Sequence, residues 1–156
     1  MVATEIPGKG IVQIKNLLLD LNGTIATDGV IAPKIKTMIN TLSQKLRIFI
    51  LSADTQGNLE KATKGIKGEV IRIPARNSTK GKKEFLQQVE PSKTAVIGNG
   101  YNDLFILKEA RLGIGVIGRE GASVRALLNS DIVVRDIFDA LDLLIHPLRI
   151  KATLRR

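Results

Sequence analysis

The sequence has no cysteine and no tryptophan, and only one histidine, His146. Without thiols it can form neither a disulfide framework nor a thiolate metal centre, and one imidazole makes no zinc cluster; any metal must be held by oxygen. Aromatics are scarce, with one tyrosine and four phenylalanines in 156 residues, so few side chains are available to stack on bases. No apolar run approaches membrane length, which argues against a membrane span. The start, MVATEIPGKG, has neither the basic opening nor the apolar stretch of a secretory signal, so a soluble cytoplasmic protein is expected.

Basic charge is in excess: 24 Lys and Arg against 15 Asp and Glu give a net charge of +9. These cations are spread along the chain, and RIKATLRR at the end is the only compact cluster. We read a solvated basic surface that steers phosphorylated substrates, with nucleic acid as the less favoured partner. The length suits one domain spanning residues 1–156, with an irregular N-terminus at 1–9 and a basic C-terminal tail at 149–156.

Buried-strand patterns recur at IVQIKNLLLD, LRIFILS, EVIRI, TAVIG, LGIGVIG and DIVV. Amphipathic stretches between them predict helices over 33–45, 58–64, 78–89, 102–110, 121–128 and 137–145. This alternation implies an α/β fold, a mostly parallel Rossmann-like sheet with helices on both faces. Residues 23–32 alternate about an Asp-Gly pair and predict a small β flap beside the end of the first strand. Gly113, Gly115 and Gly118 alternate too, but the spacing and ribose-binding acid of a dinucleotide fingerprint are missing.

Four stretches fall at carboxyl ends of predicted strands: Asp20 in LLLDLNGT, Ser52 in FILSAD, a lysine in STKGKKEF, and GNGYND at 98–103. They supply a carboxylate nucleophile, a hydroxyl, a cation and a second acid, the inventory of phosphoryl transfer. Repulsion between an aspartate and a phosphate also calls for a hard cation with oxygen ligands.

These motifs, in this order, resemble the haloacid dehalogenase superfamily, in particular the phosphorylation domain of P-type ATPases and its small soluble relatives. DLNGT is similar to the family's DxDGT and DKTGT, LSAD to its second motif, and GNGYNDLFILKEARLGIGVIG to its GDGxND segment. The resemblance implies an aspartyl-phosphate on Asp20 and Mg²⁺ held by Asp20, the Asn22 carbonyl, Asn99 and Asp103, the last directly or through water. It implies that Gly23, Thr24, Ser52, Ala53, Lys82 and Asn102 surround the phosphoryl group. Lys80, Lys82 and Lys83 crowd together. In the family the lysine opens a helix with apolar residues three, four and seven positions later, and Phe85, Leu86 and Val89 give Lys82 that spacing, so the resemblance implies Lys82. Asp54 reads as a turn or cap residue, and His146 as structural or solvent-facing.

Two departures bear on activity. Asn22 stands where the phosphatases carry an acid that protonates the leaving group, and an amide cannot transfer that proton. Asn99 stands where an aspartate ligates Mg²⁺; it can ligate but brings no charge. About 27 residues separate Thr24 from Ser52 and about 29 separate Ser52 from Lys82, which leaves no room for a cap domain. An open site is expected, able to admit a macromolecule unless another copy or a partner covers it. Ion pumping is not expected. The function implied is a slow Mg²⁺-dependent phosphohydrolase or phosphoryl transferase, with weak ATPase or acyl- or aryl-phosphatase activity. The alternative is a non-catalytic phosphate-binding or regulatory module.

Overall fold

A computed structural model describes residues 1–53 and 57–156. The chain opens with an antiparallel hairpin, β1 (Val2–Ile6) and β2 (Gly10–Ile14), which stands apart as its own two-stranded sheet. The main sheet contains β3 (Asn16–Asp20), β4 (Arg47–Ser52), β5 (Glu69–Arg72), β6 (Thr94–Gly98), β7 (Leu112–Val116) and β8 (Ile132–Val134), in the order β5-β4-β3-β6-β7-β8. Every adjacent pair is parallel. All five residues of β3, β6 and β7 are buried, as strands covered on both faces must be.

Two helical layers cover this sheet. Leu17 and Leu19 of β3 face a core shared with α1 (Pro33–Leu42), α2 (Leu59–Thr63), α6 (Ile137–Ile145) and α7 (Leu148–Leu154). Leu18 points the other way, into a core with α3 (Ser78–Gln88), α4 (Leu104–Glu109) and α5 (Val124–Leu128). This is the expected three-layer α/β architecture, and its strand order matters for function. The chain runs outward from β3 to β5 and then returns to the other side at β6, so the sheet reverses direction between β3 and β6. Ligands of open α/β sheets bind in the crevice at such a reversal, beyond the strand carboxyl ends.

The expected flap forms around Asp28 and Gly29, both at positive φ (50° and 76°). Thr27 and Val30 exchange main-chain hydrogen bonds of 3.0 Å across this two-residue turn. Positive φ at both central positions is what gives such a turn the twist of its flanking strands.

Both chain ends depart from expectation. Residues 1–9 are not irregular: Val2 and Ile6 of β1 are buried with Val12 and Ile14 of β2, one alternating apolar face reaching the main core. The stretch IVQIKNLLLD is two strands rather than one. Lys15 divides them, donating its N–H to the Lys93 carbonyl and accepting from Arg47 N–H, which moves the chain from the hairpin into the main sheet. The basic tail 149–156 is mostly helix α7, which packs on β1 and buries Ile150 while Arg149, Arg155 and Arg156 stay exposed. The helix expected at 102–110 begins as a 3-10 turn at Tyr101–Asp103, and that expected at 121–128 starts only at Val124. His146 ends α6, with its Nδ1 3.0 Å from Asp142 Oδ1.

Candidate active site

Three leucines buried on both faces carry Asp20 to the last position of β3, between Leu51 of β4 and the end of β6. Its carboxylate is 7% exposed, so each oxygen needs a partner. Lys82 Nζ donates to Oδ1 at 2.6 Å and Thr24 Oγ1 donates to Oδ2 at 2.9 Å. These two bonds fix the plane of the carboxylate.

Lys82 lies in the first turns of α3 and is 1% exposed. Its ammonium also donates to Asp103 Oδ1 at 2.7 Å, so one cation bridges two carboxylates. Lys80 and Lys83 turn outward and pair with Glu84 and Glu109. Asp103 is fully buried, and its Oδ2 accepts the main-chain N–H groups of Asn99 and Gly100 at 3.1 and 3.0 Å. This approach depends on Gly98, where a Cβ would stand 2.7 Å from the Asp103 carboxyl. With both oxygens engaged, Asp103 anchors Lys82 and the turn, and any contribution to a cation would run through water.

The remaining residues from the sequence reading surround this pair. Ser52 ends β4, buried, one residue beyond the strand partner of Asp20, and Ala53 follows it. Asp54 lies outside the described residues. Asn102 donates to Ser78 Oγ at 3.3 Å, joining the turn after β6 to the start of α3. Asn22 is exposed, and no donor among the described residues reaches its main-chain carbonyl. Two of the expected phosphate contacts are committed elsewhere: Gly23 N–H donates to Ala26 O, and the Thr24 hydroxyl is held by Asp20.

Asn99 faces the same centre. Its Nδ2 donates to the Gly121 carbonyl at 3.1 Å, which turns Oδ1 inward to within 3.1 Å of Thr24 Oγ1. Thr24 thus stands between Asp20 Oδ2 and Asn99 Oδ1 with one hydroxyl proton to share.

The electrostatics follow from these positions. Burial pushes the Asp20 carboxyl up to about 7, aided by the Asp103 charge and opposed by Lys82 and Thr24. Burial also works against the Lys82 charge, but the two carboxylates outweigh it and hold its pKa above the ordinary lysine value. Two carboxylates and one ammonium leave the cluster one positive charge short. A proton on Asp20 can supply that charge, and so can a cation.

The donor set fits a hard cation. Asp20 Oδ2, Asn99 Oδ1 and the Asn22 carbonyl are all oxygens, the ligand type of Mg²⁺. Among the described residues, no three His, Cys, Asp or Glu side chains gather into a metal-binding group, so such a site would rest on amide and main-chain oxygens as well as one carboxylate.

Sequence reasoning did not single out Glu120. Its Oε1 accepts the Asp28 N–H at 3.4 Å, and its Oε2 stands 2.8 Å from the point where a Cβ on Gly23 would lie. No local pattern marks this acid, because a loop after β7 brings it to the site.

Comparison with solved structures defines the fold. The fold is that of the haloacid dehalogenase phosphatases. The 3-deoxy-D-manno-octulosonate 8-phosphate phosphatase of Moraxella catarrhalis, solved with magnesium, phosphate and its KDO ligand, superposes with a TM-score of 0.70 at 16% identity, covering 89% of this chain and 90% of that one. A putative haloacid dehalogenase hydrolase of Legionella pneumophila gives 0.71 at 13% identity over 92% and 88%. The cobalt-bound phosphatase of Haemophilus influenzae gives 0.70 at 14% over 92% and 94%.

In sequence, an uncharacterised Methanocaldococcus jannaschii protein is 56% identical over 73 residues, 46% of this chain and 78% of that protein. A second uncharacterised protein of that organism is 56% identical over 39 residues, 25% of this chain and 89% of its own length. The chain belongs to the family of these two archaeal proteins. No family model matches it. No helix among the described residues is long and apolar enough to cross a membrane.

Proposed function

We propose that the protein is a phosphohydrolase or phosphoryl transferase that works through an aspartyl-phosphate on Asp20, with Mg²⁺ as cofactor. The observation that carries this reading is the buried Asp20–Lys82–Asp103 cluster at the sheet reversal, one positive charge short and ringed by oxygens. The magnesium and phosphate in the Moraxella phosphatase support it by analogy of fold.

An Asp20 carboxylate oxygen attacks phosphorus, the bond to the leaving-group oxygen breaks, and that oxygen departs with the electron pair. Thr24 and Lys82 hold the carboxylate in the attacking plane. Lys82 also offsets negative charge on the phosphoryl oxygens, and Asp103 keeps its ammonium in place. Ser52 and the Ala53 amide are the groups assigned to a phosphoryl oxygen. Asp20, the Asn22 carbonyl and Asn99 Oδ1 would hold Mg²⁺, which when bound neutralises charge between nucleophile and phosphate. Water then attacks the phosphoaspartate, releasing phosphate and regenerating Asp20.

Asn22 supplies no proton to the leaving group and accepts none from water. Substrates whose leaving group departs as a stable anion are therefore favoured: acyl phosphates, aryl phosphates or the terminal phosphate of ATP. In this respect the chain is like the P-type pumps.

The test is hydrolysis of acetyl phosphate, an aryl phosphate and ATP with Mg²⁺ against an Asp20→Asn control, together with beryllofluoride trapping. Turnover no greater than the control would end the reading. The two asparagines favour one other reading, a phosphate-binding or regulatory module. It would be supported by phosphate binding that survives Asp20→Ala without turnover.

A further inference from the structure

We infer that Glu120 is a positioning carboxylate that strengthens cation binding at Asp20 from outside the coordination sphere, supplying charge that Asn99 does not carry. This rests on the cation site proposed above.

The loop that presents Glu120 is built onto the catalytic turns. Gly118 N–H donates to Arg135 O and Gly121 N–H to Gly118 O, while Ser123 N–H donates to Asn99 O at 2.8 Å. Asn99 returns the tie through its side chain, donating Nδ2 to the Gly121 carbonyl. Asn99 is thus tied at two points to the loop that carries Glu120.

The Asn99 amide and the Glu120 carboxylate both lie beside Gly23. A Cβ there would lie 2.7 Å from Asn99 Nδ2 and 2.8 Å from Glu120 Oε2, so both groups converge on one point beside the residue that follows Asn22. Gly23 follows directly on Asn22, whose carbonyl is assigned to the cation. Gly23 has φ +78°, so glycine meets both a steric and a conformational demand here.

Glu120 is otherwise uncommitted. No Lys or Arg among the described residues pairs with it, although the chain carries 24 of them. Among the described residues its one hydrogen bond is the long one from Asp28 N–H. Asp136, another acid at this end of the sheet, is occupied capping α6 through Asp139 N–H at 2.9 Å. With a divalent cation bound, Asp20, Asp103 and Lys82 would leave one positive charge uncompensated, and Glu120 is the carboxylate placed to answer it.

The test is Mn²⁺ binding to the full chain, read by the electron paramagnetic resonance of free Mn²⁺ at low ionic strength, with metal-free melting temperatures measured in parallel. Wild type should bind, and Asp20→Asn should abolish the site. Glu120→Gln should weaken binding roughly tenfold, the scale of one charge acting through space on a divalent cation, without moving the metal-free melting temperature. The exposed charge should lose most of that effect at about 0.5 M salt. Asn99→Asp should tighten binding and, in that background, reduce the cost of Glu120→Gln, the coupling expected of two groups supplying one charge.

Equal affinity for wild type and Glu120→Gln would overturn the inference and leave the phosphohydrolase reading standing. A fall in affinity matched by a fall in metal-free melting temperature would also overturn it, making Glu120 a latch on Asp28. No Mn²⁺ binding by wild type, or binding that survives Asp20→Asn, would overturn the inference together with the reading beneath it.

Discussion

Replacing Lys82 by methionine keeps most of the side-chain volume and removes the one cation between two buried carboxylates. The ammonium is 1% exposed and makes bonds of 2.6 and 2.7 Å to Asp20 and Asp103. Breaking a buried pair from one side leaves an uncompensated charge and costs about 3–5 kcal/mol. For a chain of this length, roughly 2–4 °C of melting temperature accompanies each kcal/mol, so metal-free Lys82→Met should melt roughly 6–20 °C below wild type near pH 8.

The pH dependence gives the loss a signature. Asp20 is already raised to about 7 with Lys82 present, and it rises further without the cation. The folded variant therefore holds a proton that the unfolded chain releases, and its stability falls as pH rises through the window above 4. The deficit should be larger at pH 8 than at pH 5. Lys80→Met and Lys83→Met, whose side chains are 75% and 44% exposed, should shift stability by no more than about 0.5 kcal/mol. Scanning calorimetry at both pH values is the assay. A Lys82→Met variant melting within about 2 °C of wild type at pH 8 would refute the buried bridge, as would a deficit larger at pH 5.

Other outcomes follow from the same geometry. Because the raised Asp20 pKa means a cation must displace a proton, Mg²⁺ affinity should fall roughly tenfold between pH 8 and pH 6, measured by titration calorimetry. Asn22→Asp should raise steady-state turnover of an alkyl phosphate by about 10²- to 10⁴-fold, while an acyl phosphate should gain far less in the bond-breaking step; equal gains would count against the missing proton. Gly98→Ala places a Cβ 2.7 Å from the Asp103 carboxyl and should cost about 1–3 kcal/mol in urea unfolding while weakening phosphate-analogue trapping. Ile150→Ala should cost about 2–5 kcal/mol and expose the α7 amides to faster hydrogen exchange, whereas a disordered tail would show neither effect.

The parts of the fold legible in the sequence were those with a strong local period. The all-buried runs of β3, β6 and β7 could only be strands covered on both faces, and the three- and four-residue steps of Ile35, Ile39 and Leu42 placed α1. The hairpin of β1 and β2 was missed because its burial alternates in five-residue strands that lack long apolar runs. The tail was missed because Lys151, Arg155 and Arg156 dominate a segment whose docking depends mainly on Ile150. In the site, the family resemblance named Asp20, Lys82 and Asp103, which the structure brings together. It did not reveal that Thr24 and Gly23 are spent on internal bonds, nor that Glu120 arrives from the loop after β7. Those features depend on where the strand ends lie in space.

The two asparagines act on different steps, and the geometry separates them. Asn99 turns an amide oxygen toward Thr24, so in the proposed reaction its lack of charge bears on the cation and on formation of the aspartyl-phosphate. Asn22 is exposed, with its side chain outside the buried cluster, and its deficit bears on protons exchanged with the leaving group and with water. A charge deficit can be met by a neighbouring carboxylate acting at a distance, because Coulomb energy falls slowly with separation. A proton-transfer deficit cannot, because the transfer needs a group within hydrogen-bond reach of the reacting oxygen. On the proposed reaction, phosphorylation of Asp20 is therefore the step this site can keep fast, and hydrolysis of the phosphoaspartate is the step it leaves slow. Single-turnover measurements with an acyl phosphate should show a burst of leaving-group release followed by a slower steady rate. Asn22→Asp should raise the steady rate more than the burst. Asn99→Asp should lower the Mg²⁺ concentration the burst requires and leave the steady rate at saturating Mg²⁺ little changed.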